Sequence, residues 1–334
     1  MPLNQLWFLI VGFLFIGYFV LDGFDFGVGM ALPFLGKDDT DRRVLINTIG
    51  PVWDLNETWV VVAGASLFAS FPEWYASLFS GFYLALLLIL AALIIRGVAF
   101  EYRSKGQTEK WKKTFDWMIV VGSALPALLW GVAFANIVNG VPLNKDHIYT
   151  GTLLTLLNPY GLLGGLMTLT VFFLHGLVFI TLKTDGEIKD RARELAKKVG
   201  YVATVLAATF LLWTVFAHFS FLGFVLTVLA ALALIAAQGA NFIKRDGLAF
   251  TLMVVTIVTA VGSMFAALYP NVLPSTTDPA FGLTIANASS SQYTLTVMTW
   301  VAGIMIPFVL AYQTWTYWVF RKRISRKHIP AGSH

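Results

Sequence analysis

Cysteine is absent from the 334 residues. That excludes a disulfide framework, a thiolate metal site and a cysteine-linked haem. Charge is scarce too: 12% of residues are Asp, Glu, Lys or Arg, where soluble domains carry roughly 25%. With 57% hydrophobic residues and a mean hydropathy of +0.74, the chain reads as an integral membrane protein with several spans. A Walker loop, a dinucleotide fingerprint and a placeable Ser-His-Asp arrangement are missing, as are low-complexity tracts and visible repeats. The N-terminus lacks a basic n-region, and its apolar run is too long for a signal peptide. It reads as the first span.

What is present is a series of nine apolar runs of about the 20 residues a span needs: 6–35, 51–71, 74–100, 115–138, 159–182, 195–217, 219–242, 248–269 and 293–320. Nine spans make the connections alternate sides, and 22 of the 23 basic residues then fall on one side, with Lys145 alone on the other. The positive-inside bias puts the C-terminus in the cytoplasm and the N-terminus outside. This clustering explains the net charge of +5 without a nucleic-acid partner. The longer outer connections, 139–158 and 270–292, leave no room for a folded domain. The expectation is one all-α membrane domain over 1–334, embedded in the lipid bilayer.

Within the first run the only charges are Asp22 and Asp25. If that helix ends near Gly36, a rise of about 1.5 Å per residue puts Asp25 roughly 16 Å and Asp22 roughly 21 Å inside, near the middle of the membrane. A carboxylate there is costly by at least about 3 kcal/mol. It survives by turning to a partner or to water, or by keeping its proton. Three residues apart, the two acids share a helix face, and repulsion favours leaving a proton on one of them. Such a pair is a station for protons, or else a structural pair bonded to a neighbouring helix.

Asp54 and Glu57 open the second run with the same spacing. They fit helix capping and the helix dipole. They also extend an acidic ladder from the cytoplasmic face, if the two helices touch. Arg96, near the end of the third run, reads as snorkelling to the interface, with a salt bridge to Asp54 or Glu57 as the alternative. Of five histidines only His175 lies well inside a run; a lone intramembrane His is more often a packing residue than a haem ligand. No metal site and no catalytic residue are expected in this chain.

Several ordered blocks resemble subunit II of the cytochrome bd-type quinol oxidases. They include Asp22-Gly23-Phe24-Asp25-Phe26-Gly27-Val28-Gly29-Met30, Pro51-Val52-Trp53-Asp54, Phe79-Ser80-Gly81-Phe82-Tyr83, Asn158-Pro159-Tyr160-Gly161 and Tyr269-Pro270-Asn271-Val272-Leu273-Pro274-Ser275. The resemblance implies two four-helix bundles, about 6–138 and 159–269, plus a ninth helix, about 293–320. It implies a heterodimer in a prokaryotic cell membrane that oxidises quinol, reduces dioxygen to water and contributes to a proton-motive force. Haem b and haem d, or b in place of d, are then expected in the large partner subunit. The sequence leaves open whether a small single-helix subunit joins the pair. Asp25 and Asp54 match the acids of the family's cytoplasmic proton path; Asp22 and Glu57 join them on physical grounds. The rival readings are a proton-coupled secondary transporter and a purely structural scaffold for a haem subunit.

Overall fold

The computed structural model describes residues 1–329; His334 of the tail lies outside them. The first apolar run folds as α1 (Leu3–Leu35). A short helix follows, α2 (Asp39–Ile49), started by the Asp38 carboxylate, which accepts a hydrogen bond from the Asp41 N–H at 2.8 Å. Then come α3 (Trp53–Ser70), α4 (Pro72–Gly81), α5 (Tyr83–Tyr102) and α6 (Glu109–Asn139). After the one-turn α7 (Leu153–Leu156) the chain continues through α8 (Pro159–Lys183), α9 (Glu187–Ala217), α10 (Phe221–Phe242) and α11 (Asp246–Leu268). It ends with α12 (Gln292–Val319).

Among the described residues, eight helices are long and apolar enough to cross a membrane: α1, α5 with the turn after it, α6, α8, α9, α10, α11 and α12. The second run gives α3, which falls outside that set because Asp54, Asn56, Glu57 and Thr58 make its first turns polar. The third run, expected as one span, is interrupted at Phe82 and forms α4 and α5. There Tyr149 packs so closely on Gly81 that a Cβ would lie 2.6 Å from it. The adjoining sixth and seventh runs do separate: His218 ends α9, and Ser220 caps α10 by accepting the Gly223 N–H.

α1 is the axis of the bundle, packed against α3, α6, α8, α11 and α12. It comes backbone to backbone with α8, where a Cβ on Gly27 would lie 2.1 Å from the Phe172 carbonyl oxygen and 2.6 Å from Gly176 Cα. Small residues thus let two backbones touch, the usual basis of helix association in lipid. Beside that crossing Phe19 packs against Trp130, Phe134 and Phe172. Trp7 and Trp74 are 3% and 2% exposed; the Trp7 indole N–H donates to Thr299 Oγ1 on α12 at 3.0 Å.

The two longest connections on the side poor in basic residues are fastened together. The Val141 N–H donates to the Pro274 carbonyl and the Thr276 N–H to that of Val141, both at 3.0 Å. Within the second connection β1 (Asn271–Leu273) pairs antiparallel with β2 (Leu283–Thr284). On the opposite side the tail returns to the bundle, where the Ile324 N–H donates to the Lys183 carbonyl at 2.8 Å.

Candidate functional site

The polar centre lies where α1, α3 and α5 meet. Asp22 and Asp25 sit one turn apart on the inward face of α1, and both are 0% exposed. Arg96, also 0% exposed, points in from α5 and donates from Nη2 to Asp22 Oδ1 at 2.7 Å and to Glu57 Oε2 at 3.2 Å. This corrects the snorkelling expectation. α5 continues to Tyr102, so Arg96 starts about 9 Å inside the helix end, too deep to reach the interface at lower cost than pairing. Gly122 on α6 makes the room, since a Cβ there would lie 2.8 Å from Arg96 Cβ, and the guanidinium rests on the Phe26 ring, 4.4 Å from its centroid.

Asp25 has a different partner. Asn56 Nδ2 donates to its Oδ2 at 2.8 Å, and Asn56 Oδ1 in turn accepts from the Tyr317 hydroxyl at 2.8 Å and from Gln313 Nε2 at 3.1 Å. The Gln313 Oε1 accepts from the Trp59 indole at 3.4 Å. A hydrogen-bonded chain therefore runs from α12 through α3 to α1. Asp25 Oδ1 is buried and has no hydrogen-bond partner among the described residues.

Of the four acids singled out from the sequence, the fold gathers Asp22, Asp25 and Glu57. Asp54 is exposed at the start of α3 and makes no hydrogen bond or ion pair among the described residues. For Arg96 the snorkelling reading fails and the alternative salt bridge to Glu57 holds, while its pairing with Asp22 and the roles of Asn56, Gln313 and Tyr317 were missed. A signal for the last two existed: four residues apart, they form a polar stripe on one face of an apolar helix.

Chemically, the cluster sets three carboxyls against one guanidinium in a place that penalises net charge. It is neutral only with two protons bound. No group of three or more His, Asp or Glu suited to a metal ion occurs among the described residues. The surroundings of His175 do not fit a haem: Nε2 faces the Val20 carbonyl at 3.1 Å, and Phe250 stacks on the ring at 5.1 Å.

A family model described as cytochrome bd terminal oxidase subunit II matches residues 3–320. The chain belongs to that family. It is 43% identical to cytochrome bd ubiquinol oxidase subunit 2 of Bacillus subtilis over 97% of this chain and 98% of that one. It is 37% identical to the cytochrome bd-I ubiquinol oxidase subunit 2 of Escherichia coli K12, over 99% and 98%. Among solved structures, a chain of the bd oxidase from Geobacillus thermodenitrificans shares the fold, with a TM-score of 0.78, 17% identity and coverage of 96% and 100%. This subunit II chain is thus a multi-pass membrane protein of the respiratory oxidase class, and two of the acids in its cluster, Asp22 and Asp25, lie in the block Asp22–Met30 that carried the resemblance.

Proposed function

We propose that the chain is the smaller, non-haem-ligating subunit of a quinol:dioxygen oxidoreductase and supplies part of a cytoplasmic proton path to haems held by the large subunit. The relatives' names specify ubiquinol; a quinol is the substrate proposed here. In this reading α3 is the ninth crossing. α1, α3, α5 and α6 form one bundle, α8 to α11 the second, and α12 stands alone, with the N-terminus outside and the basic side in the cytoplasm. The haems, of b and d type, supply the reduction of dioxygen when bound in the partner.

The observation that carries the proton role is Asp25: a fully buried carboxyl with one oxygen held by Asn56 and the other free to take a proton. Asp54, exposed at the start of α3, collects protons from cytoplasmic water. Glu57, whose side chain is 20% exposed, lies between water and the buried groups. Each electron entering a low-dielectric haem pocket draws in a compensating proton, and Asp25 passes it toward the partner. For Asp22 the 2.7 Å pair with Arg96 favours a second reading, that of a fixed anion holding the arginine. The test is Asp25→Asn in the assembled oxidase, with quinol-driven oxygen uptake measured against haem absorbance. Turnover is expected to fall at least about tenfold, in line with the loss of a positioned proton-transfer group, with haem content unchanged. Normal turnover would refute the role.

A further inference from the structure

At the basic end of the bundle the structure holds a cleft of about 750 Å³, within the range of about 300–1,000 Å³ typical of small-molecule sites. Its floor is apolar and includes Phe179 and Leu182 of α8 and Phe250 of α11. Its rim carries Lys183, Arg321 and Lys322, and no carboxylate lines it. The Lys183 ammonium is held by the main-chain carbonyls of Phe320 and Lys322 and has no acidic partner among the described residues.

The outer wall of the cleft is the returning tail, which is pinned along its length. Arg323 pairs with Asp185 at 2.9 Å and with Asp246 at 3.2 Å. Arg326 reaches Asp38 and Asp41, both at 2.7 Å. Between these ties Ile324 bridges to Thr184 in parallel register. Arg323, which also lines the cleft, is thus paired in holding the wall, while Lys183, Arg321 and Lys322 have no acidic partner among the described residues.

We infer that this cleft binds one anionic phospholipid, the phosphate against Lys183 and Lys322 and an acyl chain along Phe179, Leu182 and Phe250. Charge complementarity and position select this occupant: cationic pockets between helices at the membrane surface hold anionic headgroups, and the apolar floor continues toward the membrane interior. The cleft borders the hydrogen-bonded chain to Asp25 at Tyr317, but the test changes Lys183 and Lys322 and reads retained lipid and not turnover, so the two proposals fail separately.

The experiment is native mass spectrometry of the detergent-purified oxidase complex, counting bound phosphatidylglycerol and then exchanging it against phosphatidylcholine or inorganic phosphate. The wild-type complex is expected to retain one phosphatidylglycerol in preference to phosphatidylcholine. Lys183→Gln/Lys322→Gln should weaken that retention by at least about tenfold, and Lys197→Gln, outside the cleft, should not. Should the double variant fail to assemble, Lys322→Gln alone removes one exposed cation and is expected to weaken retention measurably. Equal retention by the variant that assembles, equal uptake of phosphatidylcholine, or full displacement by inorganic phosphate alone would each overturn the assignment.

Discussion

Arg96 shows how one side chain decides what its neighbours can do. Buried with Asp22 and Glu57, it is worth little as a source of net stability, because desolvating both charges offsets most of their attraction. Removing it is another matter. Arg96→Gln leaves Asp22 buried and unpaired, and should destabilise the purified complex by about 3–5 kcal/mol, read as a lower midpoint of thermal unfolding. Asp22→Asn/Arg96→Gln should recover most of that loss; a double variant as unstable as the single one would show that the pair is not what holds the site. Asp22 and Asp25 were legible in the sequence because charge stands out against an apolar background and depth follows from helix rise. Arg96 was legible only in part: its pairing with Glu57 was the alternative reading, and its pairing with Asp22 was missed because a basic residue near the end of an apolar run was placed at the interface. Asn56 and Tyr317 escaped because a neutral polar side chain changes neither charge nor hydropathy enough to mark its position.

Among the elements, α1 was fully visible as the first apolar run, and the split between α9 and α10 was anticipated from the short polar stretch at His218. The break between α4 and α5 was not; it falls at Phe82, next to Gly81, against which Tyr149 of a distant connection packs. Nor was α2 foreseen: its helix depends on a cap and on partners from remote parts of the chain. Asp39 of α2 accepts from Arg103 Nη2 at 2.9 Å and from Lys112 Nζ at 3.0 Å. Burial pushes the Asp39 carboxyl up, but those hydrogen bonds and charges outweigh it and hold it below its ordinary value. A carboxyl depressed in the fold adds stability above its unfolded pKa of about 3.9, and the contribution disappears as pH falls through the lower, folded value. Asp39→Asn should therefore destabilise the protein at pH 7 by no more than about 1 kcal/mol, because solvent screens the pairs, read as a lower unfolding midpoint. Measured across pH, the difference from wild type should close below about pH 4; a gap that persists into acid would assign the effect to packing.

For the whole molecule, the apolar runs and the one-sided distribution of basic residues were enough to read an all-α membrane protein. How the helices pair was beyond reach, since helices bathed in lipid differ little in their outward faces. Buried residues on α12 are confined to Leu295, Gln313 and Thr316, so most of that helix faces away from this chain. An oxidase subunit purified gently from membranes should bring a haem-bearing partner, seen as a Soret band that scales with the amount of chain. A pure chain without haem, active in proton-coupled uptake, would support the transporter reading instead.

The Gly27–Gly176 crossing bears on that choice. A carrier that works by rocking one half against the other needs a seam that opens, and here α1 and α8 touch backbone to backbone with no side chain between them. Parting them would break a close backbone contact within one turn of Asp25. A rigid frame of this kind suits a protein whose cargo is small enough to hop from atom to atom while the helices stay still.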